Sequence, residues 1–233
     1  MDKNKDIFGT AIKAFYNKKD KTPITVHSPH FDDDEIPVEY LFRKYKDMPL
    51  VEQKALDLCK GEVLDVGCGA GSHALYLQEK PDLKVSAIDT SEGAIEVALE
   101  RGVKNAQVQD FFKLKDKNYD SILLLMNGSG IIGKLDKLDD FLNHCKELLN
   151  EDGIIIMDSS DLIYLFDDEF IDTEEYYGEL EYTLSYKDLK SDSFDWLYLD
   201  PETLIEFADK NGFNCEIVTK GEHYDFLAVL KRS

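Results

Sequence analysis

The chain has 233 residues, 43% of them hydrophobic, and this length and composition suit one α/β domain with modest additions. Its net charge of −21 argues against a nucleic-acid partner, because contacts to phosphates need a basic face. It has no run of 18 apolar residues, and its start lacks the apolar core of a signal peptide, so we expect a cytoplasmic protein that binds no membrane.

Residues 1–48 have a polar, partly helical pattern, which we interpret as an N-terminal helical cap. Between residues 49 and 158 the apolar residues follow helical and strand periods in turn. The predicted elements are a helix at 49–60, strands at 62–66 and 84–89 with a helix at 72–80 between them, a helix capped by Thr90 or Ser91, strands at 106–109 and 121–126, a helix at 135–149 and a strand at 154–158. This alternation predicts a parallel sheet with right-handed crossovers and helices on both faces.

The pattern changes after residue 158. Apolar residues recur at every second position in 179–186 and again in 194–199, with Ser191-Asp192-Ser193 between the two runs. A period of two on both sides of a turn predicts an antiparallel hairpin. We interpret 159–200 as an inserted hairpin rich in acidic and aromatic residues.

The last segment, 201–233, completes the same domain in this interpretation. Asp200 is placed to cap a helix, and Gly212 ends it. Two strands at 214–219 and 226–230, joined by a short turn, close the chain.

Cysteine and histidine show no metal-binding pattern. The four cysteines form no C-x-x-C pair, and the five histidines are scattered without ligand spacing. We therefore expect reduced thiols, no disulfide framework and no bound metal.

The stretch VLDVGCGAGSHALY, residues 63–76, carries clustered glycines directly after the first core strand. Gly67, Gly69 and Gly71 follow a G-x-G-x-G spacing, whereas the third glycine of a dinucleotide fingerprint would fall at Ser72. Glycines here let the backbone approach a ligand closely, and the helix N-terminus beyond them attracts an anionic group. The pattern predicts a nucleotide-like cofactor.

Three carboxylates bear on which cofactor is bound. Asp89, at the end of the second strand, suits the ribose hydroxyls of either a nicotinamide cofactor or S-adenosylmethionine (SAM). Asp65 would repel a pyrophosphate, but it would favour the methionine ammonium or the sulfonium of SAM. Asp110, just after the third strand, is spaced to accept from an adenine amino group.

The D-x-G-x-G-x-G run, the acidic end of the second strand and Asp110 resemble a class I, Rossmann-like SAM-dependent methyltransferase. The resemblance covers about 51–158 and, in outline, the final two strands. It implies a doubly wound, seven-stranded, mostly parallel sheet in the order 3-2-1-4-5-7-6 with strand 7 antiparallel, to which the hairpin is added. It also implies SAM as cofactor and S-adenosylhomocysteine (SAH) as product, and it makes 49–158 the SAM-binding core.

The same resemblance implies a set of cofactor-binding residues. In it the three glycines wrap the methionine end, Asp89 binds ribose, Asp110 and the backbone of Phe111 bind adenine, and Met126 and Asn127 flank the sulfonium. The full set is Asp65, Gly67, Cys68, Gly69, Gly71, Asp89, Thr90, Asp110, Phe111, Met126 and Asn127.

Methyl transfer needs alignment and water exclusion more than a catalytic dyad, and alignment alone supplies up to ~7–11 kcal/mol. A base is required only for a protonated acceptor, and His30 and Tyr40 are the candidates. In the stretch HFDDDEIPVEYLFRKY, Tyr40 and Arg43 are candidates for the methionine carboxylate. The alternative is a surface helix whose start is capped by residues 32–34.

Two features bear on the acceptor. Asn127 is followed by Gly128 and Ser129 rather than by the Pro-Pro-aromatic run of amino-methyltransferases, which argues against a nucleobase amine. Residues 158–202 hold fifteen acidic residues against two lysines, together with ten of the 26 aromatics. We expect a lid that favours a neutral or cationic small molecule, with a solvated hairpin face as the alternative.

Other interpretations of the glycine loop stay open at this point. An NAD(P)-dependent oxidoreductase on a similar sheet is disfavoured by Ser72 and Asp65. A SAM-binding sensor or partner subunit without transferase activity would share the same motif. A loop that serves packing alone would not account for Asp65, Asp89 and Asp110 in register.

Overall fold

A computed structural model describes residues 6–115, 117–166, 176–221 and 223–233. The helices in these ranges are α1 Ile7–Lys18, α2 Leu50–Leu58, α3 Ser72–Leu77, α4 Glu92–Glu100, α5 Leu138–Leu148 and α6 Pro201–Lys210. The strands are β1 Ile24–His27, β2 Asp34–Ile36, β3 Glu62–Val66, β4 Lys84–Asp89, β5 Ala106–Val108, β6 Tyr119–Leu124, β7 Leu149–Ser160, β8 Glu179–Tyr186, β9 Leu189–Lys190, β10 Phe194–Leu197, β11 Phe213–Lys220 and β12 Asp225–Arg232.

Seven of these strands form one sheet in the order β5-β4-β3-β6-β7-β12-β11. Numbered within the sheet, this is 3-2-1-4-5-7-6. The pairs β4–β5 and β6–β7 are parallel, whereas β12 is antiparallel to both β7 and β11. The predicted fold class, including the reversed seventh strand, is confirmed.

The centre of this sheet explains why its strands have continuous apolar runs. In β7 the residues from Ile154 to Met157 are all at most 4% exposed, although successive side chains point to opposite faces. Both faces must therefore be covered, as expected for a parallel sheet flanked by helices. One cover is α5, whose buried residues Leu138, Phe141, Leu142, Cys145 and Leu148 form the predicted apolar stripe.

A second sheet has the order β10-β8-β1-β2, with β9 paired to β8. The hairpin predicted at 179–199 is confirmed as part of this sheet. The sheet also contains β1 and β2, two strands from the segment that we interpreted as a helical cap. In that segment α1 is helical, but Asp34 begins β2 rather than capping a helix. The strands escaped prediction because they are short and β1 pairs with β8, far away in the sequence (Thr25 opposite Ser185).

The chain divides into two compact units. The first comprises the described residues of 1–48, 64–114 and 181–194, and the second those of 49–63, 115–180 and 195–233. In the first unit, small side chains let α3 and α4 lie close to β4 and β5. This core cluster consists of Cys68, Ala74, Ala87, Ile95, Ala98, Val103 and Ala106. The cluster fixes the loop that carries the glycines.

Searching the described helices for a membrane span gives no segment that is both long enough and apolar enough.

Candidate cofactor site

The glycine loop joins β3 to α3 and turns on three left-handed residues. The φ angles are +71° at Gly67, +51° at Gly69 and +80° at Gly71, a region that favours glycine. A Cβ atom at Gly67 or Gly69 would meet no atom of the described residues within 4 Å, whereas one at Gly71 would lie 2.6 Å from Cγ2 of Val103. The first two glycines thus border open space, and the third is required for packing.

Asp89, at the end of β4, lies against this loop. Its Oδ2 accepts a hydrogen bond from the Gly69 N–H at 2.9 Å, and its Oδ1 accepts one from the Ser91 N–H at 2.8 Å. Burial raises the pKa of Asp89, and these two N–H groups act in the opposite direction. The carboxylate therefore connects the glycine loop to the start of α4. The neighbouring Thr90, also predicted to bind the cofactor, is exposed.

Asp65 is a buried carboxylate within the last residues of β3. It is 2% exposed, and its Oδ2 has no hydrogen-bond partner among the residues that the structure describes. Burial raises the pKa of Asp65 to about 6, with His73 lowering it and Asp89 raising it. The Ala74 N–H donates to this carboxylate, and the buried oxygen that is left without a partner is unfavourable unless a donor or a cation reaches it. A methionine ammonium fits this requirement, and a pyrophosphate does not.

Cys68 lies between the first two glycines, with its thiol in the core cluster. It is 6% exposed, and burial raises the pKa of the thiol far above its ordinary value. The Cys68 N–H donates to the Ile88 carbonyl oxygen at 3.0 Å. Its side chain therefore serves packing.

Asp110 follows β5 and caps a short 3-10 turn, Phe111–Lys113. Its Oδ1 accepts from the Phe112 N–H at 3.0 Å, and its Oδ2 lies 2.9 Å from Nζ of Lys113. Lys113 is 78% exposed, so its ion pair with Asp110 is weak and easily displaced. Phe111 is buried at 4%. The geometry is compatible with the predicted adenine contact.

In the second unit, Met126 and Asn127 follow β6 in an unusual turn. Both are non-glycine residues with positive φ, +67° and +56°. Such conformations cost about 1–3 kcal/mol each and persist only where the surroundings hold them. Here the Ser160 hydroxyl donates to Oδ1 of Asn127 at 2.8 Å.

Asp158, which we did not predict as a site residue, is the main support of this turn. Its Oδ2 accepts from the Met126 N–H at 3.1 Å and its Oδ1 from the Gly128 N–H at 2.9 Å. Burial raises the pKa of Asp158 to about 6, and the nearby Glu52 also raises it. The available sequence signal was a carboxylate at the end of an otherwise apolar run, the same signal that singled out Asp65.

Of the residues proposed from the N-terminal segment, Arg43 and Tyr40 contact each other. The Arg43 guanidinium lies 4.0 Å from the ring centroid of Tyr40 and donates to the Tyr40 carbonyl oxygen at 2.7 Å. Arg43 is buried, whereas Tyr40 is 38% exposed. His30 is exposed on a turn, where its N–H donates to the Ser28 hydroxyl.

Part of this segment packs on the glycine loop within the first unit. The Ser72 hydroxyl donates to the Leu41 carbonyl oxygen at 2.7 Å. The Arg101 guanidinium lies 4.7 Å from the ring centroid of Phe42 and donates to the Ala70 carbonyl oxygen at 2.5 Å. Arg101 therefore holds both the glycine loop at Ala70 and the N-terminal segment at Phe42, a role that no local sequence pattern indicated.

Comparisons with known proteins agree with this geometry. A family model described as "Methyltransferase domain" matches residues 59–218. A SAM-dependent methyltransferase from Bacteroides fragilis, solved in complex with SAH, is 48% identical with a TM-score of 0.93, over 100% of this chain and 97% of that one. A SAM-bound amino pentose methyltransferase from Micromonospora echinaspora is 14% identical with a TM-score of 0.60, over 88% and 100% of the two chains, and shows the shared fold.

A curated relative is the ribosomal protein L11 methyltransferase of Thermosipho melanesiensis. It is 32% identical over 113 residues, which span 46% of this chain and 41% of that protein. The chain thus matches less than half of this relative.

The family match spans well over half of the chain, and the Bacteroides fragilis protein is similar over nearly its whole length. These matches set aside an NAD(P)-dependent oxidoreductase. The chain belongs to the methyltransferase-domain family and is a SAM-dependent methyltransferase with the class I fold.

Proposed function

We propose that this methyltransferase acts in the cytoplasm on a small-molecule acceptor that is neutral or cationic. The observation that carries the proposal is the acidic and aromatic character of the segment after β7. In its described part, the Tyr177 hydroxyl donates to Oδ1 of Asp161 at 2.8 Å, and the Tyr176 hydroxyl donates to Oδ2 of Asp200 at 2.6 Å. Carboxylates and ring faces attract cations and repel polyanions.

Two further rings extend this surface. Tyr164 and Tyr224 stack with centroids 4.6 Å apart and are 52% and 57% exposed. The Asp161 N–H donates to the Tyr224 carbonyl oxygen at 3.0 Å, so the carboxylate and the ring pair belong to one local structure. This surface lies at the carboxyl end of β7, the edge at which α/β sheets bind ligands. The proposed lid at 159–200 includes 167–175, which lie outside the described residues.

We assign the cofactor contacts as follows. The open faces of Gly67 and Gly69 accommodate the methionine end, and Asp65 pairs with its ammonium. Asp89 accepts from the ribose hydroxyls, and Asp110 accepts from adenine. Support comes from the unsatisfied Oδ2 of Asp65 and from the empty space beside the two glycines.

The cofactor, when bound, supplies a methyl group activated by the sulfonium. The residues of this chain then bind and orient the cofactor and the acceptor, and they exclude water. Asp65 would hold the methionine end of the ligand and Asp89 its ribose. Asp158 holds the Met126–Asn127 turn by accepting from backbone N–H groups. Correct alignment is the main contribution to the rate.

Asp89→Ala is expected to weaken SAH binding by about 1–3 kcal/mol, because charge-assisted bonds to the ribose are lost. The loop also loses the acceptor of the Gly69 N–H. Isothermal titration calorimetry with SAH, and with NAD as the control ligand, measures the effect. Unchanged SAH affinity would show that Asp89 does not bind the ribose. Tight NAD binding without SAH binding would contradict the assignment of SAM as the cofactor.

The acceptor class is tested with labelled SAM and a panel of small amines, neutral isosteres, tRNA and ribosomal protein L11. We expect incorporation into small molecules and none into the two macromolecules. Asp161→Asn should lower the apparent affinity for cationic acceptors alone, whereas Asp188→Asn, an exposed acid elsewhere in the hairpin, should leave it unchanged. Efficient methylation of L11 would favour a protein acceptor, as the partial curated relative suggests.

A further inference from the structure

The side chain of Asp6 contacts the N-termini of two helices. Its Oδ1 accepts from the Gly9 N–H of α1 at 2.9 Å. Its Oδ2 accepts from the Gly93 N–H of α4 at 3.1 Å and from the Ser91 hydroxyl at 3.0 Å. Both oxygens are needed, because each serves a different helix.

This arrangement requires α1 and α4 to lie very close together. A Cβ atom on Gly93 would be 2.7 Å from the Cα atom of Gly9, so only glycine permits the contact. Farther along the same interface, Lys13 and Glu96 form an exposed ion pair. The contact between the helices is therefore tight at the end near Asp6 and solvated at the other.

Ser91 connects Asp6 to the carboxylate that we assign to the ribose. The Ser91 hydroxyl donates to Asp6, while its backbone N–H donates to Oδ1 of Asp89 at 2.8 Å. The Ser91 hydroxyl also accepts from the Ala94 N–H at 3.0 Å and so caps α4. A shift of Asp6 would therefore move the residue that orients Asp89.

We propose that Asp6 is a positioning residue of the cofactor site, which couples docking of α1 to the binding of the cofactor ribose through Ser91 and Asp89. The proposal rests on the proposed role of Asp89 in ribose binding. Because such coupling is reciprocal, a contact that tightens cofactor binding must be tightened by the cofactor to the same extent.

Asp6→Ser tests this directly. Serine still caps α1 with its single oxygen, but it has no second oxygen for Ser91 and Gly93. We expect the SAH dissociation constant to rise at least about fivefold. Asp6→Asn, which also keeps only one acceptor oxygen, is the second variant. Glu96→Gln, which breaks the exposed ion pair of the same interface, should stay within about twofold of the wild type.

Two measurements separate positioning from general loss of structure. The preference of the protein for adenosine over 2′,3′-dideoxyadenosine should shrink in Asp6→Ser, because only the ribose hydroxyls report on Asp89. Hydrogen exchange of the α1 amides should slow when SAH binds to the wild type and remain unchanged by SAH in Asp6→Ser.

The outcomes are distinguishable. If both Asp6 variants are folded by circular dichroism and bind SAH within twofold of the wild type, the coupling is absent. An unchanged preference between the two nucleosides would also overturn it. If Asp89→Ala itself leaves SAH binding unchanged, the ribose assignment fails, and the Asp6 proposal fails with it. If Asp89→Ala weakens binding and Asp6→Ser does not, only the coupling is wrong.

Discussion

Asp65→Asn is expected to weaken SAH binding at pH 7.5 by about ten- to a hundredfold, because a hydrogen-bonded pair between opposite charges is replaced by a neutral contact. The ligand-free variant should be more stable than the wild type by about 1–3 kcal/mol, because Asp65 is buried and ionised at this pH and its Oδ2 has no partner among the described residues. Calorimetry measures the SAH affinity, and urea denaturation measures the stability. A loss of affinity together with a gain in stability would indicate that the charge of Asp65 serves ligand binding rather than folding.

The pH dependence follows from the same carboxyl group. Its folded-state pKa is raised to about 6 from an ordinary value of 3.8, so its contribution to stability is complete below pH 3.8 and is lost as the pH rises through 6. The ammonium of SAH requires the ionised form. SAH affinity should therefore increase by up to about tenfold from pH 5 to pH 7, and the increase should be absent in Asp65→Asn.

The control ligand is 5′-methylthioadenosine, which lacks the amino-acid end. Its affinity should be unaffected by Asp65→Asn and flat over the same pH interval. An equal loss for both ligands would show that the substitution distorts the loop rather than removing a charge partner.

Gly69→Ala should mainly weaken SAH binding, whereas Gly71→Ala should mainly lower the stability of the fold. Gly71→Ala combines left-handed strain with a Cβ atom 2.6 Å from Val103 and 3.2 Å from Ala98, so we expect a loss of about 2–5 kcal/mol in the free energy of unfolding. Gly69→Ala carries the strain alone, about 1–2 kcal/mol. Its methyl group enters the space that we assign to the cofactor, so SAH affinity should fall by at least tenfold.

Gly102→Ala is the matched control, since this glycine has a φ of +102° and, in the described part of the chain, no atom within 4 Å of its Cβ position. It should lose stability from strain and bind SAH normally. Urea denaturation and calorimetry on the three variants give the comparison. Normal SAH binding by Gly69→Ala would mean that the open face of the loop is not where the cofactor lies.

Local chemistry determined much of the fold in advance. The period of the apolar residues defined β3 and β4 to the residue. Helix caps could also be predicted, because a capping bond joins residues only three positions apart in the sequence. Ser91, one of the two candidate caps for its helix, accepts from the Ala94 N–H, and Asp200 accepts from the Thr203 N–H as predicted.

The site could be predicted from the sequence where ligand binding requires a particular type of residue at the end of a strand. Asp65 and Asp89 are polar residues beside apolar ones, and the glycines mark left-handed backbone. Whether a given glycine serves ligand binding or packing could not be predicted from the sequence. Gly69 borders open space while Gly71 packs on Val103, and this difference depends on a residue 32 positions later in the chain.

The sequence by itself determined the order of helices and strands between residues 49 and 158, the sheet class and the cofactor family, because these depend on period, capping and a compact motif. Tertiary structure alone decided that β1 joins β8, that Asp158 holds the turn at Met126, and that Asp6 reaches Ser91. Each of these contacts joins residues that are at least 30 positions apart. Such a pairing depends on the closure of a long loop and on the shape of the folded surfaces, neither of which any local pattern encodes.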